Sequence, residues 1–125
     1  MPTASAAPFG PGFTPTDPNG YFSIDIEASG PAPGPYSMLS LGACFVTDPA
    51  ATFYAELQPT SEDADPEAMA VNGLLLETLQ RTGVLPAEAI RRLDQWVGSL
   101  CTPPARPVFV AYNALFNWRF VHDAR

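Results

Sequence analysis

The stretch Tyr21-Phe22-Ser23-Ile24-Asp25-Ile26-Glu27-Ala28-Ser29-Gly30 decides how the rest of the chain is read. Phe22, Ile24 and Ile26 fall on one side of an extended backbone, and Tyr21, Ser23, Asp25 and Glu27 on the other. That alternation predicts a strand from Tyr21 to Glu27 with one buried face. Side chains two residues apart on a strand share a face, so the carboxylates of Asp25 and Glu27 project together. They do so just before a loop, Ala28 to Pro35, made of Ala, Ser, Gly and Pro. Two acids held close repel each other and suit a shared divalent cation. Spacing alone rather favours the plainer alternative, a solvated polar face on an edge strand.

Outward from this strand the pattern stays legible. Ser37 to Val46 predicts a second strand with Gly42 as a bulge, Asp48-Pro49 a turn, and Thr52 to Leu57 a third strand. Three strands so closely connected predict an antiparallel meander. Upstream, Met1 to Asn19 is rich in Pro, Ala, Gly and Thr without an apolar period and reads as a disordered tail, with Asn19-Gly20 turning into the first strand. Downstream the period changes. Asp65 and Pro66 stand where a helix is capped and opened, and Asn72-Gly73 is where it would stop. A second helix is predicted from Leu75 to Thr82, ending at Gly83. Pro86 opens a third, in which Ile90, Leu93, Val97 and Leu100 recur at helical spacing while Glu88, Arg91, Arg92 and Gln95 take the other side. Thr102-Pro103-Pro104 ends it. The apolar run from Pro107 to Tyr112 predicts a buried fourth strand. Asn113 is a turn or cap residue, and the chain is helical from Ala114 onward. The fold class is α/β, a mixed sheet in which a three-strand meander is followed by helices and a fourth strand.

Composition narrows the function. The chain has 125 residues, the size of one small domain, and is 46% hydrophobic with 15% charged residues, enough to build a core. Its 15 prolines, and the absence of lysine, reflect a compositional bias rather than a chemistry. A formal net charge of −7 argues against a nucleic-acid coat protein, which needs a basic face. It is compatible with an enzyme that meets phosphate through cations held by carboxylates. Cys44 and Cys101 lack metal-site spacing and are expected as unpaired, partly buried thiols. No secretory leader is visible, and the longest apolar run, near Leu41 to Val46, is too short to span a bilayer. The expectation is a cytoplasmic protein with no membrane partner.

The stretch YFSIDIEASG resembles the first motif of the DEDD-type 3′-to-5′ exonuclease superfamily: an apolar strand, Asp-x-Glu, then a small-residue turn ending in Gly30. Ser40 to Ala43 (SLGA) and Val71 to Leu74 (VNGL) are similar to the family's second strand and helix-joining segment. Phe109 to Val121 (FVAYNALFNWRFV) resembles the second motif, where an Asn and then a Phe-Asp pair follow a strand. The resemblance runs from about Tyr21 to Val121. It implies a ribonuclease-H-like fold, of which this chain would be a C-terminally truncated N-terminal portion. It also implies two Mg²⁺ or Mn²⁺ ions roughly 3.5–4 Å apart. Asp25 would bridge them, and Glu27 would bind one and orient the attacking water. The substrate would be the 3′ end of single-stranded RNA or DNA, released as nucleoside 5′-monophosphates, and held near Ala28, Ser29, Gly30, Asn113 and Phe116. Phe116 or Trp118 would pack near the site, though both read better as core residues of a short helix. Many relatives dimerise, so a homodimer is a further expectation.

The chain departs from the family's pattern twice. Asn117 stands where the second motif has its metal-binding Asp, and an amide coordinates a cation only weakly. The third motif, a metal-binding Asp preceded by a His or Tyr base, has no counterpart. His122 and Asp123 are adjacent, where the family leaves several residues between the two, and they sit on the helix of the second motif. Both departures imply impaired catalysis. The alternative reading is an inactive remnant that binds nucleic acid or a protein partner, with an apolar sheet face left for that partner to cover.

Overall fold

The structure is a computed structural model and describes residues 18–124. The tail expected over Met1 to Asn19 therefore falls mostly outside the described residues. The chain runs β1 (Asn19–Ala28), β2 (Met38–Phe45), β3 (Asp48–Glu56), α1 (Pro66–Asn72), α2 (Leu76–Thr82), α3 (Pro86–Leu100), β4 (Arg106–Val110) and α4 (Ala114–Ala124). The sheet order is β3-β2-β1-β4, with β1 antiparallel to β2, β2 antiparallel to β3, and β4 parallel to β1. This is the α/β architecture that the alternation and the helix signals predict.

The two faces of the sheet divide as the sequence divides them. Phe22, Ile24, Ile26 and Ala28 are buried, and they meet Leu41, Ala43 and Ala55 from the neighbouring strands. α3 covers this face with Ala89, Leu93 and Val97, four residues apart and so stacked along one side of the helix. Trp96 stands edge-on to Phe22 at 5.4 Å between ring centres and lies 5.8 Å from Phe53. On the other face Ser23 and Asp25 are exposed and Glu27 is half-buried.

Local signals act where they are expected. Asp65 caps α1 by accepting a hydrogen bond from the Glu67 amide at 3.1 Å, and Gly73 ends the helix in the left-handed conformation at φ 69°. Four expectations need correction. Asn19 and Gly20 already belong to β1, because β4 offers them partners in Arg106 and Pro107. The β2–β3 reversal falls at Val46 and Thr47, so Asp48 and Pro49 start β3. Gly42 is no bulge; it pairs regularly with Asp25 and Tyr54, and the irregular steps are at Glu27/Ala28 and Cys44/Phe45. The fourth strand is not buried. Among the described residues β4 pairs on one side only, and Phe109 and Val110 are 49% and 42% exposed. Its Pro107, which has no amide hydrogen to give a ladder, suits that edge position.

An apolar groove of about 890 Å³ opens between α3 and α4, bordered by Ile90, Leu93, Phe109, Trp118 and Val121. Cys101 is buried, Cys44 half-buried, and both are free thiols. Among the described residues no helix is long and apolar enough to cross a membrane.

Candidate functional site

β4 accompanies β1 only as far as Ser23, which pairs with Val110. β2 stays beside β1 to Ala28. From Ile24 onward the β4 side of β1 is therefore open, and the sheet splits. Ligands of open α/β sheets are commonly held where neighbouring strands part at their carboxyl ends.

Asp25 and Glu27 stand on this second half of β1, on the same face, as the spacing requires. Glu27 has its carboxyl pushed above the usual value of 4.5, first by burial and then by the negative charge of Asp25. That repulsion is the electrostatic sign of two acids sharing a site. Their neighbours across the sheet are set by register. Gly42 lies between Asp25 and Tyr54, and Ser40 between Glu27 and Glu56. The Tyr54 hydroxyl donates to Glu56 Oε2 at 2.8 Å.

A cleft of about 480 Å³ opens beside Glu27. It is lined by Ile26, Ala28, Gly30, Ala68, Val71, Asn72 and Phe116, among others. Three of the residues expected near the substrate, Ala28, Gly30 and Phe116, are therefore brought together. Ser29 is not part of that lining. It is fully buried, its Oγ accepts from the Ser37 amide at 2.8 Å, and its carbonyl accepts from the Asp65 amide at 2.6 Å. It holds the loop to α1. Gly30 packs so closely on the Tyr36 ring that a Cβ would meet it at 2.3 Å, so the turn admits no side chain there. Asn113 is exposed and lends its carbonyl to the Asn117 amide, starting α4. His122 is exposed, its ring 5.4 Å from that of Trp118, which borders the groove rather than the cleft.

The residues that the sequence reading missed are on α1. Ala68, Val71 and Asn72 share one side of that helix, and Asn72 Nδ2 donates to the Ala28 carbonyl at 3.2 Å. The VNGL segment is thus a wall of the cleft as well as a joint between helices. The spacing of Ala68, Val71 and Asn72 was the available signal.

Asn117 is 6% exposed rather than a surface residue, and its Nδ2 donates to the Ile24 carbonyl at 3.2 Å. The second motif therefore docks on β1 next to Asp25, at the split. As for a cation, the charge and oxygen donors of Asp25 and Glu27, on one face of β1, suit a divalent ion. Among the described residues no group of three or more His, Cys, Asp or Glu side chains is placed to hold one.

A four-strand sheet with this order, a cleft at the end of β1 and a helix laid across the split form a ribonuclease-H-like fold. The chain is similar to solved structures of exonuclease I, among them a product-bound form and an Escherichia coli complex with single-stranded DNA that contains zinc. Each gives a TM-score of 0.66 at 18% identity over 85% of this chain and about a quarter of the other. No family model matches the chain. It is 44% identical over 107 residues to the 3′-5′ DNA exonuclease Cap18 of Escherichia coli, covering 86% of this chain. The chain is thus similar to 3′-to-5′ exonucleases in sequence and in fold. It spans 57% of that relative's length.

Proposed function

We propose that this chain carries the metal-binding and nucleotide-binding half of a 3′-to-5′ exonuclease acting on single-stranded nucleic acid, with DNA as the favoured substrate. The observation that supports it best is the meeting of the two motifs: Glu27 and Phe116 line one cleft, and Asn117 is bonded to β1 beside Asp25. The DNA preference follows the names of the relative and of the neighbours found with single-stranded DNA.

Asp25 and Glu27 would hold Mg²⁺ or Mn²⁺, and the cation would supply an acidified water and charge to offset the departing 3′ oxygen. Glu27 holds its proton more tightly than usual, first through burial and then through the charge of Asp25. The cleft takes the terminal nucleotide. Ala28, Val71 and Phe116 give it an apolar lining, and Gly30 keeps the backbone close. Asn117 positions β1 by its bond to Ile24 and adds at most a weak amide oxygen to the cation.

The test is stepwise release of mononucleotides from a 5′-labelled single-stranded oligonucleotide in Mn²⁺ or Mg²⁺, with Asp25→Ala in parallel. Shortening from the 3′ end that is lost in the variant supports the site. Unchanged release in Asp25→Ala would remove Asp25 from it. A second reading rests on the amide at position 117 and the lack of a third acid: a folded scaffold that binds strands without cutting them. No release by the chain, with saturable Mn²⁺-dependent binding of the oligonucleotide, is the outcome that favours it.

A further inference from the structure

One aromatic residue next to the acid pair has no part in the core. Tyr54 lies on the same sheet face as Asp25 and Glu27, in the row Asp25–Gly42–Tyr54, and is 62% exposed. Two strand spacings separate it from Asp25, about 10 Å, within the span of a dinucleotide. Gly42 leaves the space between them empty. The nearest atoms to a Cβ built there would be Tyr54 Cδ1 and backbone oxygens of Asp25 and Phe53, at 3.8–3.9 Å, an ordinary contact distance. The ring is also held. Its hydroxyl donates to Glu56 Oε2 at 2.8 Å. Burial, that bond and the charges of Glu56 and Glu27 push its phenol above the usual value, so it stays a neutral donor.

The ring is exposed, oriented and uncharged, on a polar face that also carries Asp25, Glu27 and Glu56. Strand-binding proteins use such rings as platforms, because every base offers a π-face whatever its sequence. We propose that Tyr54 stacks a base of the bound strand inward from the end held at Asp25 and Glu27. This rests on the exonuclease reading and adds to it a second contact point, on β3, across the sheet from the cleft at Phe116. The two aromatics bracket the acid pair. Phe116 serves the terminal nucleotide, and Tyr54 serves the chain behind it. Tyr54 is a strand-positioning residue that distinguishes an oligonucleotide from a mononucleotide.

The experiment uses phosphorothioate oligothymidylates, which resist hydrolysis, with a single 2-aminopurine at the terminal, second or third position from the 3′ end. Binding in Mn²⁺ is followed by quenching of its fluorescence. The expected result is quenching at the second or third position that disappears in Tyr54→Ala. Affinity for the oligonucleotide should fall about tenfold, the order of one stacked base. Affinity for thymidine 5′-monophosphate should not change, and Tyr54→Phe should keep both the quenching and the affinity. Circular dichroism checks that Tyr54→Ala is folded. If the chain binds oligonucleotides and Tyr54→Ala binds them equally well, the platform is wrong and the exonuclease reading stands. Equal weakening for mononucleotide and oligonucleotide would mean that Tyr54 only supports Glu56 and the sheet, which also overturns it. A chain that binds neither overturns the exonuclease reading, and this inference with it.

Discussion

The two halves of β1 do opposite work. Asn19 to Ser23 pairs with β4, and from Tyr21 it also has β2 or the turn after it on the other side; this half seats Phe22, fully buried, against Phe45 at 4.8 Å and Trp96 at 5.4 Å. From Ile24 to Ala28 it keeps only β2, and here it carries Asp25 and Glu27. A strand that is hydrogen-bonded on both edges is rigid but closed to ligands. One that loses a neighbour halfway keeps a rigid base and gains an open edge. The helix α4 fills part of that edge with a single side-chain bond, from Asn117 to the Ile24 carbonyl, where a ladder would otherwise continue. Placement and chemistry are thus divided along ten residues of one strand.

The largest effect is expected in the closed half. Phe22→Ala removes a fully buried ring that touches Phe45, Trp96 and Phe109, and it should destabilise the fold by about 3–5 kcal/mol. Denaturant unfolding followed by tryptophan fluorescence measures it. A loss below about 1 kcal/mol would mean that the first half of β1 is not the anchor.

An intermediate effect is expected at the split. Asn117→Ala leaves the Ile24 carbonyl without its donor and should cost about 1–3 kcal/mol. Asn117→Asp loses the same donor and sets a carboxylate facing that carbonyl, so in EDTA it should be at least as unstable. In Mn²⁺ the two variants should part. The Asp variant gains a third carboxylate near Asp25 and Glu27, so its melting temperature should rise with Mn²⁺ more than that of the unaltered chain, while the Ala variant gains nothing extra. Equal Mn²⁺ responses in all three would separate position 117 from the cation.

Both halves of β1 were legible in the sequence for one reason: a strand with one wet face writes its burial as alternation. The caps of α1 were legible because Asp65, Pro66 and Gly73 each have a local backbone role that does not depend on the rest of the molecule. What failed was whatever depends on a neighbour. The run VFVAY is apolar whether or not a helix closes over it, so the exposure of Phe109 and Val110 was invisible. The burial of Asn117 depends on how α4 crosses β1, and an amide reads the same on either side of a helix. Tyr54 could be placed on the polar face from the pattern of β3, but its alignment with Asp25 through Gly42 depends on the registers of two strand pairs. The candidate site residues on β1 were singled out because the local pattern and the family resemblance coincide there. Those on α1 were missed because only the fold brings Ala68, Val71 and Asn72 to Glu27.

The smallest effect tests the open half directly, through pH. Burial and the charge of Asp25 raise the Glu27 carboxyl above 4.5 in the folded chain. The fold therefore holds that proton more tightly than the unfolded chain does. The stability this gives is fully present below the unfolded value and is lost as pH rises through the raised folded one. Above that window an ionised Glu27 opposes folding. Glu27→Gln removes the penalty, so in EDTA the variant should melt slightly higher than the unaltered chain at neutral pH, by about 1 °C or less, because solvent screens the half-buried carboxylate. Near pH 4 and below, the two curves should merge. Mn²⁺ should invert the order at neutral pH, stabilising the chain that keeps both carboxylates and leaving the Gln variant almost unmoved. If the Gln variant melts lower than the unaltered chain in EDTA across the whole pH range, Glu27 is a structural residue of the sheet. The repulsion between the acids would then have no share in keeping this half of β1 ready for a cation.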